Sequence, residues 1–523
     1  MLNIKTKGYL TIIGAMLFYS ILGITHTMQS LDHYFISYFY YKNNKDKSLP
    51  IKIVNFDLIF SFSNCFLSIF ILVGVLLEKF IKLHYLLFLS YLLKISSHYI
   101  IYYYPTLKML NFHILVGNTV IGLCYLPIMK EIWKYFPEKK GFYTGISLSS
   151  LGLNRLIFKY LTDYIINPNN IPRIENNKEY YPREIHHNLE IYMRYHLYEY
   201  IITSIVSFFL IIPYESEEIK FKRKMSFNPQ SHTTEKINVN RSYFKRQTYN
   251  LQKLQIHNLI LENTKPSPDL NLEESLKEEE DSEDSLSISL DSKSQSNNSN
   301  EKKIDIDKNK KITLFTLLFS FPFLQLTFIF FFTNIFGTVE LNTMRKFGEM
   351  NGLPQEYILK CSLIWKIANF ISIPIWGYLF DSIKFKHLYT LILVLQIVIS
   401  SMCYFVCTSK IGFLSYLLTS AFVNSANLTI YPCIFSKIFD DNYGSILFGL
   451  SYSIDNLIYI WRKLLNEILT NKIYFLTFYI IITSFSMIAL IILCFFVERK
   501  YDQEEEEGME LDYINRKNQA DDL

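Results

Sequence analysis

Twelve apolar runs of about twenty residues constrain this chain more than any other feature. They fall at roughly 9–29, 53–77, 84–104, 110–130, 142–166 and 196–214, and again at roughly 313–338, 355–380, 387–407, 411–435, 444–467 and 473–497. A helix of that length crosses the ~30 Å hydrocarbon core of a bilayer. In lipid the backbone must satisfy its own polar groups, which leaves helices and closed barrels, and runs this long select helices. The third run is the least apolar, because it carries Lys94 and His98. Residues 1–29 place Lys5 and Lys7 ahead of the first run, with no clean small-x-small cleavage site, so a retained first span is expected rather than a cleaved signal peptide. The expected fold class is an all-α polytopic membrane protein of twelve transmembrane helices.

Charge and motifs exclude several classes. A net charge of +4 spread over 523 residues, without a basic stripe, is no nucleic-acid footprint. The cysteines (Cys65, Cys124, Cys361, Cys403, Cys407, Cys433 and Cys494) form no CxxC or Cys/His zinc spacing and read as small packing residues. No HExxH, GxSxG or phosphate-loop pattern is present, so neither an enzyme nor a metal or cofactor is expected.

The runs divide the chain into an N-terminal six-helix half (1–214), a central loop (215–311), a C-terminal six-helix half (312–498) and an acidic tail (499–523). The central stretch is basic at both ends and acidic and Ser-rich between, a composition that buries too little apolar area to order itself. It is expected to be disordered and to offer a site for phosphorylation or regulatory partners. Placing both termini in the cytoplasm puts Lys79, Lys82, Lys130, Lys134, Lys139, Lys140, Lys384, Lys386, Lys437 and Arg499 inside, a moderate positive-inside bias. A plasma membrane is favoured over an organelle membrane.

The halves repeat at a fixed offset. Gly74-x-x-x-Glu78-Lys79 ends the second run and Gly377-x-x-x-Asp381 ends the eighth, 303 positions later. Gly141 opens the fifth run and Gly444 the eleventh, again 303 later. Two six-helix pseudo-repeats suit a carrier that rocks around a central site. The glycines permit tight helix approach, and each acid is placed to receive hydrogen bonds from a neighbouring helix N-terminus and hold one conformation. Ordinary interfacial loop charges would give the same residue types.

The Gly-x-x-x-acid pattern after runs two and eight resembles the loop signature of the major facilitator superfamily, although Ile81 replaces a usual glycine and Ser382 a usual arginine. Three junctions resemble the oxalate/formate antiporter and monocarboxylate transporter branch: Gly23–His26 through Tyr34 and Ser37-Tyr38, Trp133–Gly145, and Phe439–Tyr452. The resemblance implies the major facilitator fold, a small-molecule substrate and coupling to protons.

Charges at membrane depth are costly and therefore functional candidates. Arg155 lies 14 residues after Gly141, ~21 Å along a helix. Asp455 lies 11 residues after Gly444, ~16 Å along its helix. Lys366 is about as far from the outer start of the eighth run. All three fall near the midplane. Arg155 offers a planar fork and Lys366 a point charge for a carboxylate, while Asp455 balances them or binds a coupled proton. Asn369, Asn424, Asn427 and Asn456 add hydrogen-bonding groups, and His98, Tyr19 and Asn118 are further candidates to line a cavity. The same charges would also serve as an ion network that only fixes helix packing. For His98 the plainer role is a bond to a backbone carbonyl.

Relatives that carry oxalate or formate typically have an arginine where this chain has Ile373, and some have a lysine where it has Asp455. Dicarboxylates are therefore disfavoured. The leading expectation is a proton-coupled secondary transporter of a monocarboxylate, including a vitamin-like acid such as pantothenate. The alternatives are a carrier of an amino acid or organic cation, and a membrane sensor or scaffold that no longer transports.

Overall fold

The computed structural model describes residues 3–29, 31–42, 53–169, 171, 181–182, 184–215, 314–455 and 472–499. The apolar runs become helices. The first half holds α1 (Ile4–Gln29), α2 (Asp32–Lys42), α3 (Ile53–Glu78), α4 (Leu83–Tyr103), α5 (Leu107–Tyr135), α6 (Lys140–Ile166) and α7 (Glu184–Leu210). The second holds α8 (Leu314–Leu318), α9 (Phe321–Met350), α10 (Gln355–Ser382), α11 (Phe385–Val406), α12 (Lys410–Asp455) and α13 (Lys472–Cys494). Among the described residues no strand occurs. The expected central loop, apart from Glu215, the end of the eleventh run with Asn456, and the acidic tail beyond Arg499 lie outside the described residues.

Among the described residues four helices, Leu107–Tyr135, Gln355–Ser382, Phe385–Cys403 and Thr477–Cys494, are long and apolar enough to cross a bilayer by composition. Others are diluted by polar side chains buried between helices, as Lys94, Ser97 and His98 are in α4. Large apolar side chains stay exposed on the outer helices, among them Phe88, Phe209, Phe405 and Ile480. Such a surface suits lipid contact rather than water.

Four local features depart from the expected spans. The seventh run breaks at Phe319 and Ser320 before the Pro-containing start of α9, where proline fits a first helical turn. The tenth and eleventh runs follow one another within α12, separated by a kink at Asp440 (φ 64°, ψ 162°). α7 begins twelve residues before its apolar run, at Glu184. The short helix α2, not among the expected spans, explains that extension. It packs Phe35, Ile36 and Phe39 in a buried cluster with Leu189, Tyr192 and Met193 of α7, and Tyr38 donates to Glu190 at 2.9 Å.

Small residues set the closest helix contacts, because a missing Cβ lets backbones touch. In the first half, a Cβ on Gly74 of α3 would lie 2.1 Å from the Leu123 carbonyl oxygen of α5. Between the halves, a Cβ on Gly377 of α10 would lie 2.3 Å from the Gly141 oxygen of α6, and one on Gly141 would lie 2.6 Å from the Gly377 oxygen. Gly145 meets Ile373 and Gly152 meets Phe370 in the same way. These pairs show α6 and α10 running antiparallel in direct backbone contact.

One face of the protein collects both ends of the described helical body. Gly8 of α1 abuts Phe136 there. Lys386 at the start of α11 donates to the carbonyls of Cys494, the last residue of α13, and of Phe496 just after it, at 2.7 and 3.1 Å. This terminal face carries the α3–α4, α5–α6 and α10–α11 junctions.

Candidate functional site

The two halves are tied at the terminal face. Asp381, at the end of α10, accepts the backbone N–H of Gly141 at 2.8 Å and that of Phe142 at 2.7 Å. Each carboxylate oxygen takes one of the N–H groups that the first turn of α6 cannot satisfy internally, and the helix dipole favours the negative charge. The partner motif uses a relay instead. Glu78 pairs with Lys130 at 3.0 Å, and Lys130 also donates to Asn442 of the second half at 3.3 Å. Lys140 adds a third tie, to Asp441 at 2.5 Å and Ser436 at 3.0 Å. Lys79 is exposed at the surface. The sequence repeat is therefore not a repeat of contacts: Gly377 packs across the halves, and Gly74 packs within one.

Deeper in the second half, Asp455 is 7% exposed. A one-way chain of hydrogen bonds ends on it. Tyr389 O–H donates to Asn427 Oδ1 at 2.8 Å, and Asn427 Nδ2 donates to Asn334 Oδ1 at 2.5 Å. Asn334 Nδ2 then donates to Asp455 Oδ2. Chains aligned in one direction polarise each other, and a carboxylate is the natural terminus because it accepts only. The other carboxylate oxygen, Oδ1, has no hydrogen-bond partner among the described residues. Asn424 lies one turn from Asn427, where a Cβ on Gly337 of α9 would come within 2.1 Å of its Oδ1. Asp455, Asn424 and Asn427 are thus gathered around α9. Asn334 and Gly337 complete the group, and both stand alone in a Phe-rich run that shows no sequence signal for them.

The other candidates sit elsewhere. Asn369 of α10 is buried and donates to the Ala421 carbonyl of α12 at 3.4 Å. Lys366 is half-buried one turn away on α10. The antiparallel glycine register places the backbone of Arg155 on α6 at the level of Lys366 on α10, while the Arg155 side chain lies outside the described residues. His98 joins neither group. It is buried in the first half between α4, α5 and α7, 2.9 Å from the Met193 carbonyl and 3.3 Å from His113 Nε2. Lys94 lies beside it, with its ammonium 4.9 Å from the centre of the Tyr200 ring. Tyr19 and Asn118 are buried within the first half: Tyr19 donates to the Tyr125 carbonyl at 2.7 Å, and Asn118 to Ser63 at 2.8 Å.

No family model matches the sequence, and no curated protein matches it. Solved structures do resemble it. A proton:xylose symporter of the major facilitator superfamily, bound to 6-bromo-6-deoxy-D-glucose, aligns with a TM-score of 0.56 at 12% identity, covering 95% of this chain and 96% of that one. The E. coli fucose:proton symporter aligns with a TM-score of 0.56 at 11% identity, covering 93% and 98%. A structure of that fucose transporter in the outward conformation gives 0.55 at 10% identity, covering 93% and 98%. The chain has the all-helical fold of the major facilitator transporters. The narrower likeness to the oxalate/formate and monocarboxylate branch rests on the sequence motifs alone.

Proposed function

We propose that the chain is an integral multi-pass membrane carrier that moves a small organic acid by alternating access, coupled to protons. The observation that carries this reading is the contact between α6 and α10. It is a glycine-lined seam between two halves, closed at one end by the Asp381 cap and by the Lys130 and Lys140 ties. Such a seam opens by rocking once a few polar contacts break. The register puts two cationic residues, Arg155 and Lys366, at one level along it, which suits a carboxylate. A monocarboxylate, including a vitamin-like acid such as pantothenate, is the favoured cargo. Asp455 is the favoured proton carrier. Its Oδ1 accepts and releases a proton while Oδ2 keeps its bond to Asn334, so the step costs no break in the chain.

A neutral polyol is the second reading. It is favoured by the amides and hydroxyl gathered around α9 and by solved neighbours that are sugar symporters. Uptake by purified protein in proteoliposomes separates the two. Lactate, pyruvate, formate, oxalate, pantothenate, xylose, fucose and several amino acids are each offered with and without an inward proton gradient. Acid uptake that rises with the gradient supports the first reading. Sugar uptake without acid uptake replaces it with the second, and amino-acid uptake alone overturns both.

A further inference from the structure

The chain that follows α13 is folded along the terminal face. Lys386 of α11 holds the Cys494 and Phe496 carbonyls at 2.7 and 3.1 Å. Phe496 is fully buried, with its ring centre 5.5 Å from that of Phe385. Glu498 then pairs with Lys437 of α12 at 2.6 Å. The Lys437 ammonium also lies 5.7 Å from the centre of the Phe380 ring. Phe380 is the neighbour of Asp381, and a Cβ on Gly141 of the first half would lie 2.9 Å from its Cδ1. Residues 495–498 are thus a strap, and its last clasp sits at the seam beside the cap. Lys437 from one half and Lys139 from the other are both near enough to Asp381 to stabilise its charge.

Charge and tether length name what this part of the seam receives. Past Arg499 the sequence carries Asp502, the run Glu504–Glu507, Glu510 and Asp512. Glu504 is six residues past Glu498, a reach of at most ~20 Å. Lys139 stands two residues before Gly141, so its backbone lies within ~8 Å of the capped amide. Beyond it, Lys79 and Lys82 adjoin the same seam, because their neighbour Glu78 is tied through Lys130 to Asn442. Lys79, Lys82 and Lys139 are exposed and enter no ion pair among the described residues. The exposed acids Glu138 and Asp440 offset part of this charge and leave an excess of cations. One exposed ion pair is weak, so a stable contact takes several, and a short tether supplies its acids at about millimolar effective concentration. The acidic stretch of the central loop begins at Glu273, 58 residues past Glu215, and effective concentration falls with tether length. From this we infer that residues 502–512 dock across the seam on Lys139, with Lys79 and Lys82 beyond it, and latch the terminal face closed. The inference rests on the rocking of the two halves in the proposed function and not on the solute carried.

Photo-crosslinking reads the docking without reading transport. Benzoylphenylalanine replaces Gln503 or Met509 in the full-length protein in phosphatidylcholine nanodiscs, and crosslinked peptides are mapped. The peptides that carry Lys139, Lys79 and Lys82 are expected to dominate. Their yield should fall about tenfold when Glu504–Glu507 are all changed to Gln, because several weak pairs are lost together. It should fall likewise in 1 M salt, where the screening length is ~3 Å. The same Gln variant should raise thiol labelling at Phe142→Cys about threefold, a smaller shift than loss of the Asp381 cap. Crosslinks confined to lipid, to the second half or to the central loop would overturn the docking site, as would first-half crosslinks indifferent to salt and to the Gln changes. The expected crosslinks with unchanged labelling at Phe142→Cys would overturn the latch. The salt comparison keeps the native acids, so a misfolded Gln variant leaves the test intact. Absent uptake beside intact crosslinks would strike the carrier reading alone.

Discussion

Asp381 holds Gly141 through a carboxylate–amide bond of 2.8 Å, at the point where the two glycine backbones of α6 and α10 touch. Cap and close packing act on the same contact, so neither is expected to hold the halves together without the other.

Removing the cap therefore weakens closure. Asp381→Ala deletes two N–H acceptors at once, and lost helix caps cost about 1–2 kcal/mol. The closed terminal face is expected to lose about tenfold in population, since every 1.4 kcal/mol is tenfold. Thiol labelling of a single cysteine placed at Phe142 reads this directly. An unchanged labelling rate would show that the cap is incidental.

Adding a methyl group at the seam acts more strongly. In Gly377→Ala the new Cβ meets a backbone oxygen at 2.3 Å, which only movement of a whole helix relieves. Overpacking of this kind costs about 1–3 kcal/mol. Exchange of solute across proteoliposomes is expected to fall about tenfold, while expression and helical circular dichroism stay unchanged. Gly352→Ala, where a Cβ meets nothing within 4 Å, is the contrast, although its φ of +73° adds local strain.

The relay through Lys130 predicts a double-mutant signature. Lys130→Ala leaves Glu78 without its described cation and Asn442 without its donor. Each single change, Glu78→Gln or Lys130→Ala, is expected to destabilise the protein by about 1–3 kcal/mol. The double mutant should lose less than the sum, because the two share one interaction. Additive losses in thermal unfolding would contradict a pair.

The Asp455 chain predicts uncoupling. Asp455→Asn keeps the shape and removes the site for a proton. Uptake is expected to lose its response to a proton gradient while exchange of solute down its own gradient persists. Asn334→Leu removes the amide that links Asn427 to Asp455 and should lower stability by about 1–3 kcal/mol. A gradient response retained in Asp455→Asn would move the proton site elsewhere.

Much of this was legible in the residues. Twenty-residue apolar runs read directly as helices, because bilayer thickness sets their length. Gly377 and Asp381 stood out because a glycine and an acid recur at the same helix end in both halves. Asn334 did not, since its role is made by Tyr389, Asn427 and Asp455 on other helices. Lys130 and Asn442 were likewise hidden, being 312 positions apart and joined only by the fold. The repeat matched residue types and not partners: Gly377 packs on Gly141 across the halves, whereas Gly74 packs on Leu123 within one. The early start of α7 was missed because its polar first turns are held by α2, a helix too short to read as a span.

The most direct test of the carrier reading is to lock the seam and read transport. Phe142 and Tyr378 face each other across it, with ring centres 6.3 Å apart. Cysteines at both positions, in a background with Cys65 and Cys494 replaced by serine, are joined by a short thiol crosslinker in proteoliposomes. Proton-driven uptake of the acid substrate should stop when the pair is crosslinked with a cleavable reagent and return when the link is reduced. Uptake that continues at full rate through the locked seam would contradict alternating access between these two halves.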